Sequence, residues 1–171
     1  MLVLETERLA LRTWQADDFD SLHSILSDAT TMAHWPAPFD AAATRAWLQR
    51  AEQGMREHGL SRWCCQLRDS GAVIGDVGIV RMQHDGHWIN DLGYIIHHPY
   101  WRKGYAFEAA AGVVQWARAQ GLDALAANMA VDNEPSAAVA RKLGMHLVRT
   151  FTKTSNANKQ TYWFELPLTE P

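Results

Sequence analysis

A short basic turn joins an apolar, extended segment to a helical pattern in the middle of the chain. The stretch YWRKGYAFEA at residues 100–109 contains Arg102, Lys103 and Gly104 directly before the helical pattern. Amides in the first turn of a helix have no partner within it, so those of residues 102–106 are expected to face outward as donors. Glycine allows close approach to the backbone, and the two basic side chains add positive charge. The pattern predicts either an ordinary strand-to-helix turn or a site for a phosphate group.

Length and composition set broad limits on the kind of protein. A chain of 171 residues, 47% hydrophobic and 20% charged, suits one compact domain, so we expect residues 1–171 to form a single domain. Sixteen Lys and Arg residues against nineteen Asp and Glu residues give a net charge of −3. This balance disfavours nucleic acid as a partner, because nucleic-acid-binding domains are usually basic. The expected partner is a small molecule.

The cysteines and the N-terminus indicate a reducing compartment. Cys64 and Cys65 are adjacent in a predicted strand, where neighbouring side chains point to opposite faces, so we predict no disulfide. The N-terminal residues MLVLE meet an acidic side chain at once, and no apolar run approaches the ~18 residues that a membrane span needs. We therefore expect a soluble cytoplasmic protein without a membrane partner, and either a monomer or a homodimer.

The hydrophobic patterns predict a mixed α+β order of elements. Predicted strands cover residues 8–12, 62–67, 73–82, 88–96, 124–131, 145–151 and 160–166. Predicted helices begin at Asp17 or Asp18, at 41 (ending near 58), at 105 (ending at 119) and at 134 or 135 (ending at 143). The three strands between residues 62 and 96 are separated by short turns, which indicates an antiparallel meander.

Several short motifs occur in a characteristic order along nearly the whole chain. They are Thr6-Glu7-Arg8-Leu9 with Leu11-Arg12, the loop at Trp35-Pro36, Leu92-Gly93-Tyr94-Ile95 with Pro99-Tyr100-Trp101, Lys103-Gly104-Tyr105-Ala106 with Glu108-Ala109, and Asn133-Glu134-Pro135-Ser136 leading to Lys142-Leu143-Gly144-Met145. This order resembles the GNAT superfamily of acetyl-CoA-dependent N-acetyltransferases, and most closely its ribosomal-protein N-terminal (alanine/serine) acetyltransferase branch. The resemblance implies one acetyltransferase domain with a mixed, mostly antiparallel sheet of about seven strands and about four flanking helices. A splayed strand pair would form the acetyl-CoA cleft.

The resemblance also implies where acetyl-CoA binds. The pyrophosphate of coenzyme A would lie on the turn formed by Trp101, Arg102, Lys103, Gly104, Tyr105 and Ala106, in agreement with the phosphate interpretation above. Trp101 departs from the superfamily, which usually has Gln or Arg there, so its role is either binding or packing. The backbone of the splayed strand, at Ile95, Ile96 and His97, would bind the pantetheine arm. Asn133 would either bind that arm or cap the following helix.

Acetyl transfer to an amine requires a neutral attacking nitrogen, although a primary amine with a pKa near ~10 is mostly protonated at pH 7. The resemblance places Asp91 at the start of the splayed strand as the first candidate base. Asp76 is the second candidate, and a water relay remains open. Many relatives use a tyrosine to protonate the leaving thiolate, but the corresponding residue is Ala140. Ser136, one helical turn earlier, is the candidate replacement, or else a polar residue of the helix N-terminus.

The remaining polar and aromatic candidates have less specific roles. We expect no metal, because His84 and His87 lack a third ligand and His97 and His98 are adjacent residues whose side chains should face apart. Trp35 and Trp88 are candidates for the border of the acceptor cleft, although most of the eight tryptophans are expected in the core.

The predicted activity is direct acetyl transfer from acetyl-CoA to an amine in a ternary complex, without an acyl-enzyme intermediate. The acceptor is either a protein N-terminal α-amine or a small molecule such as a polyamine, an amino acid or an aminoglycoside. The alternative is a catalytically weak acyl-CoA-binding or regulatory protein of the same fold, since the usual tyrosine is missing. An unrelated nucleotide-binding protein is disfavoured because the phosphate-binding patterns G-x-x-x-x-G-K-[ST] and G-x-G-x-x-G are absent from the sequence.

Overall fold

The computed structural model describes residues 1–169, and residues 170 and 171 of the predicted domain lie outside it. The strands are β1 (Leu2–Glu5), β2 (Leu9–Arg12), β3 (Arg62–Leu67), β4 (Val73–His84), β5 (His87–Ile96), β6 (Ala124–Ala130), β7 (His146–Lys153) and β8 (Lys159–Pro167). The helices are α1 (Phe19–Leu26), α2 (Ala41–His58), α3 (Tyr105–Ala119) and α4 (Glu134–Lys142). The predicted α+β order is confirmed.

The eight strands form one mixed sheet in the order β1-β2-β3-β4-β5-β6-β8-β7. Neighbouring strands are antiparallel except for β5 and β6, so the predicted meander of β3, β4 and β5 is confirmed. The sheet has one strand more than expected because β1 was not predicted from the sequence. This strand has four residues and lies at the edge of the sheet. In so short a segment the alternation of polar and apolar residues gives little signal, and pairing with β2 determines that it forms a strand.

The hairpin between β4 and β5 is longer than its sequence pattern predicted. Asp85 and Gly86 form a two-residue turn with φ of 49° and 79°, so that His84 pairs with His87. Two positive φ values are typical of the type I′ turn, whose twist matches that of the flanking strands. The tight turn therefore carries both strands beyond the predicted ends.

The two faces of the sheet are covered by different helices. On one face, α3 and α4 cover the larger core, which includes the fully buried Trp63, Ile74 and Phe164. On the other face, Leu22, Ile25 and Leu26 of α1 form a smaller core with Met32 and with Ile95 of β5. Because adjacent strand residues face opposite sides, this arrangement places Asp76, Asp91 and Gly93 on the side of α1 and α2.

The strands β5 and β6 meet at one point and then diverge. They run parallel and pair only through Asp91 and Ala126, near the middle of β5. Beyond that pair the two strands separate toward their C-terminal ends, because β6 turns to pair with β8 over its whole length. The predicted splayed strand pair is therefore present, and the basic turn follows the C-terminal end of β5.

None of the helices within residues 1–169 is long and apolar enough to span a lipid bilayer. Cys64 and Cys65 are both buried and unbonded, as the strand alternation predicted. Burial raises the pKa of both thiols.

Candidate active site

The basic turn presents a row of unbonded amides at the start of α3. Gly104 is the N-cap of α3 with φ of 82°, and Arg102 also has a positive φ, 61°. Within the described residues 1–169, no amide of residues 102–106 donates to a loop carbonyl or to a side chain. Trp101, Arg102, Lys103 and Gly104 are exposed, and Tyr105 and Ala106 are partly exposed. The turn has the donors, the charge and the access that an anion needs.

A clamp from the N-terminal hairpin holds this turn in place. Glu108, in the first turn of α3, accepts hydrogen bonds from the Thr6 hydroxyl at 2.6 Å and from the Arg8 amide and Nε at 2.8 and 2.6 Å. Nη1 of Arg8 donates to the carbonyl of Lys103 at 3.0 Å. Two of the motifs that carried the family resemblance therefore meet in space, at the base of the turn.

We expect Glu108→Gln to lower the free energy of unfolding at pH 7 by about 1 to 2 kcal/mol, because charge-assisted hydrogen bonds are lost. Burial alone would raise the pKa of Glu108, but the bonds from Thr6 and Arg8 outweigh it and lower the pKa. The stabilisation is thus present above the pKa of the unfolded state and is lost as pH falls through the lowered value. Urea unfolding at pH 7 and near pH 3 measures both effects.

Glu134→Gln is the matched control, since Glu134 also lies in a first helical turn and pairs with an arginine, Arg141. That pair is largely exposed, so its loss should cost less than about 0.5 kcal/mol. Equal losses for the two variants would contradict the clamp at Glu108.

The pairing of β4 with β5 decides which backbone groups face the cleft. The amide of His97 donates to the carbonyl of Ile74 at 2.8 Å, so His97 is turned toward β4. Backbone groups alternate along a strand, so Ile95 also faces β4, whereas Tyr94 and Ile96 face the cleft. The amide of His97 is therefore already bonded, and Tyr94, which the sequence did not single out, presents backbone groups to the cleft. The pantetheine contacts of Ile95, Ile96 and His97 stay a prediction.

Trp101 contacts the C-terminal end of β5. Its Nε1 donates to the carbonyl of Ile96 at 2.6 Å, while its side chain remains 43% exposed. The indole thus ties the turn to the end of β5 and occupies one of the two cleft-facing groups of Ile96. This hydrogen bond gives Trp101 a packing role, and its contact with coenzyme A stays a prediction.

A cleft of about 290 Å³ follows the divergence of β5 and β6. Asn133 and Ser136, from the start of α4, line it together with Tyr94. Asn133 caps α4, because its Oδ1 accepts from the amide of Ser136 at 3.3 Å. Its Nδ2 donates to no protein group within residues 1–169, so the cap and a ligand contact are compatible.

The hydroxyl of Tyr94 lies against α4, near the residue that replaces the usual tyrosine. It donates to the carbonyl of Ser136 at 2.7 Å, and burial raises its pKa. Ala140 itself is fully buried. The Ser136 hydroxyl has no hydrogen-bond partner among residues 1–169 and stays accessible from the cleft.

Asp91 lies where β5 and β6 meet, and its carboxylate joins a polar chain. Nδ2 of Asn128 donates to Oδ1 of Asp91 at 2.7 Å, and Oδ1 of Asn128 accepts from Nζ of Lys153. Burial raises the pKa of Asp91, partly opposed by the charges of Arg62 and Lys153. Burial also lowers the pKa of Lys153. An aspartate with a raised pKa beside a cavity is a candidate general base.

Asp76, the second candidate, is enclosed. Its side chain is fully buried, and its Oδ1 accepts from Nε1 of Trp14 at 2.7 Å. Burial raises the pKa of Asp76. Its side chain lines neither the cleft nor the second cavity described below. The geometry therefore favours Asp91 over Asp76 for contact with a substrate.

A second cavity of about 270 Å³ lies on the other side of this junction, under α2. It shares Trp35, Arg62, Gly93, Asn128 and Lys153 with the cleft, and Asp91 is part of its wall. Trp35 therefore borders both spaces, in edge contact with Trp47 and Phe39, and its place at the acceptor cleft stays a prediction. Trp88 is 54% exposed on the hairpin and lines neither space.

The sequence did not single out Arg62, Asn128 or Lys153. Arg62 begins a strand whose next three residues are buried, and its guanidinium lies over Gly93. A charged residue at a half-buried strand position was the available signal. Only the strand register shows which groups it meets.

The expectation that His97 and His98 face apart is wrong. The strand ends at Ile96, and the two rings lie 5.4 Å apart in the turn that follows. Nδ1 of His98 bonds Oδ2 of Asp28 at 2.8 Å, and the ligand atoms of the three residues lie within 4.8 Å of one another. Hydrogen bonds from Thr31 lower the pKa of Asp28 to about 2. The geometry is also that of a hydrogen-bonded loop anchor, and the absence of a metal stays a prediction.

Comparison with known proteins identifies the family. The family model described as "Acetyltransferase (GNAT) domain" matches residues 8–146. The chain belongs to the GNAT acetyltransferase family. This acetyltransferase is 29% identical over 152 residues to the "Uncharacterized protein YkkB" of Bacillus subtilis, covering 88% of each chain. It is 26% identical to the "Uncharacterized N-acetyltransferase YnaD" of the same organism, covering 88% of this chain and 86% of the relative.

Solved structures agree with this assignment. A GNAT-family acetyltransferase from Bacillus anthracis superposes with a TM-score of 0.81 at 24% identity, covering 99% of this chain and 100% of the other. The ribosomal-protein-S5-alanine acetyltransferase of Vibrio fischeri gives 0.79 at 20% identity over the full length of both chains. RimL, a ribosomal L7/L12 acetyltransferase in complex with coenzyme A, gives 0.81 at 13% identity over 98% of both. These likenesses confirm the GNAT fold, and the enzyme is an N-acetyltransferase.

Proposed function

We propose that the protein transfers the acetyl group of acetyl-CoA directly to a primary amine, in a ternary complex of enzyme, donor and acceptor. The observation that carries this proposal is the splay of β5 and β6, which opens a cleft lined by Tyr94, Asn133 and Ser136. Asp91, at the point where the two strands meet, lines the adjoining second cavity. The donor and the acceptor can thus approach the same point from two sides. Holding both in place supplies much of the rate enhancement.

Backbone groups supply most of the proposed contacts with acetyl-CoA. The pyrophosphate of acetyl-CoA is placed on the amides of residues 102–106, where Arg102 and Lys103 add charge. The pantetheine arm runs along the free backbone groups of Tyr94 and the amide of Ile96. Nδ2 of Asn133 faces the same cleft from the opposite side.

The acceptor side supplies the base. The amine nitrogen attacks the thioester carbonyl, a C–N bond forms and the C–S bond breaks. Asp91 accepts the proton that the ammonium must lose, directly or through a water molecule. Its raised pKa improves it as a base relative to an ordinary aspartate. Nδ2 of Asn128 keeps its carboxylate oriented.

The thiolate of coenzyme A leaves while it accepts a hydrogen bond in the cleft, and its sulfur takes up the second proton that the attacking nitrogen loses. The thiol has a pKa of roughly ~8.5, so protonation or hydrogen bonding assists its departure. We assign this role to the Ser136 hydroxyl, which no protein group within residues 1–169 engages. The hydroxyl of Tyr94 is committed to the carbonyl of Ser136.

Release of free thiol from acetyl-CoA tests the proposal across a panel of peptides, amino acids, polyamines and aminoglycosides. Direct transfer predicts thiol release only when an amine is present, with initial rates that give intersecting lines in double-reciprocal plots. Parallel lines would instead indicate an acyl-enzyme intermediate. Tight coenzyme A binding by calorimetry without turnover for any amine would favour the regulatory alternative.

A further inference from the structure

A trough without side chains runs across the sheet below α2. Arg62 of β3 pairs with Gly78 of β4, which in turn pairs with Gly93 of β5, so the three residues form one row. A Cβ atom on Gly78 would lie 2.2 Å from the backbone oxygen of Ser61. A Cβ atom on Gly93 would lie 1.9 Å from the guanidinium of Arg62. The two glycines thus allow Arg62 to extend across two strands to the junction of the cavities.

The guanidinium of Arg62 reaches this junction 5.9 Å from the ring of Trp47, and no group among residues 1–169 accepts a hydrogen bond from it. Its Nη1 is buried and, within residues 1–169, has no hydrogen-bond acceptor. Asp76 and Asp91 lie near enough to feel its charge, yet neither bonds it. A buried donor without an acceptor costs about 1 to 3 kcal/mol, so an arginine held in this way is prepared for an anion.

The cavity under α2 is positively charged at its wall and rim. Its lining, all within the described residues, contains Arg50, Arg62, Arg81 and Lys153 but only one carboxylate, that of Asp91. Arg50 lies 5.4 Å from the ring of Trp47, and Arg81 lies 5.6 Å from that of Trp88. These cations lie away from the basic turn, which follows the opposite end of β5. They are not needed for the phosphates of coenzyme A.

Much of the remaining cavity wall is apolar, although His58, Ser61 and Asn128 also line it. Trp35, Trp47, Leu60 and Met82 form much of it. Such a wall buries an aromatic or aliphatic body of the acceptor, while the few polar groups fix its orientation. An amine that is itself polycationic meets four cations and loses electrostatic free energy on entering.

We infer that the acceptor is an amine that carries a carboxylate on an apolar body, such as a free aromatic or aliphatic amino acid. The carboxylate binds the guanidinium of Arg62, assisted by Lys153, and the amine then lies toward Asp91. This inference rests on the proposed acetyl transfer and selects among its acceptors. It disfavours polyamines and aminoglycosides, which carry no carboxylate. It also disfavours peptide N-termini, whose nearest carboxylate is remote from the amine.

The test compares acceptors that differ only in the carboxylate. The values of kcat/KM are measured for phenylalanine, phenylalaninamide and phenethylamine, whose amine pKa values bracket that of phenylalanine. We expect phenylalanine to be preferred over both by about 10- to 100-fold, the factor that one charge-assisted bidentate pair supplies. Equal values for the three acceptors, or a preference for spermidine or a peptide, would overturn the inference while leaving the acetyl transfer intact.

Two variants separate recognition from folding. Arg62→Lys keeps a positive charge near Asp76 but loses the planar fork, and Gly93→Ala pushes the intact guanidinium aside. Each is expected to lower the phenylalanine preference about tenfold, and the double variant should lose little more. Preference ratios are compared within each folded variant, verified by thermal unfolding, so amine pKa effects cancel. An unchanged ratio in both variants would refute the role of Arg62, and no thiol release with any amine would instead refute the proposed function.

Discussion

Replacement of Asp91 by asparagine is expected to lower kcat/KM for amine acetylation by about a hundredfold or more, the usual contribution of a general base. Asparagine preserves the size of the side chain but cannot accept the proton of the ammonium. Binding of acetyl-CoA is expected to change less than threefold, because the pyrophosphate turn follows the far end of β5. Steady-state kinetics and calorimetric titration with coenzyme A measure the two quantities separately.

The pH profile gives this prediction a second readout. Burial raises the pKa of Asp91, and a base must be unprotonated, so wild-type kcat/KM falls as pH drops through the raised value. The corresponding limb should be absent in Asp91→Asn. Titration of the acceptor amine is common to both enzymes and does not distinguish them.

Asp76→Asn is the matched control for a buried aspartate on the same face of the sheet. Asp76 is sealed by Trp14, so its replacement should lower the free energy of unfolding while reducing kcat/KM less than tenfold. Wild-type turnover in Asp91→Asn, combined with a large loss in Asp76→Asn, would transfer the role of base to Asp76.

Reversal of both charges in the basic turn is expected to weaken coenzyme A binding by about a hundredfold. Arg102→Glu/Lys103→Glu removes two charge-assisted contacts, each worth about 1.5 to 3 kcal/mol, and adds repulsion of the phosphates. Both side chains are exposed, so the variant should fold with nearly wild-type stability. Calorimetric affinity for coenzyme A and urea unfolding test the two statements.

Arg56→Glu/Arg118→Glu controls for the change in net charge. Both residues are exposed, on α2 and in the last turn of α3, away from the start of α3. An affinity equal to that of the wild type is expected for this control. If both double variants bound coenzyme A equally well, the pyrophosphate assignment would fail. Raised salt should also weaken wild-type binding.

Much of the fold was predictable because its signals are local. The helix from Tyr105 to Ala119 has an apolar stripe in its sequence and follows Gly104, and the structure confirms both of its predicted ends. The meander was visible from turn residues between alternating strands. The edge strand β1 was missed because four partly exposed residues carry almost no periodicity without a partner.

The residues of the candidate site also differ in whether local sequence or strand pairing determines their position. The basic turn and Asp91 could be proposed from the sequence because each lies in or beside a motif whose residues are close in sequence. The pair His97 and His98 was misplaced because strand alternation was applied beyond the end of β5. Which backbone groups face the cleft depends on the register of β4 against β5, and no pattern within one strand reveals it.

The sequence by itself thus determined the α+β order, the GNAT resemblance and the position of the basic turn that we propose as the phosphate site, since these depend on residues near one another in the chain. Only the tertiary structure brought Arg62 over Gly93 and joined Lys153, Asn128 and Asp91. Those contacts link strands that are distant in sequence, and they exist only for one strand order and one register. The donor site is therefore readable from local motifs, whereas the acceptor site is a product of the assembled sheet.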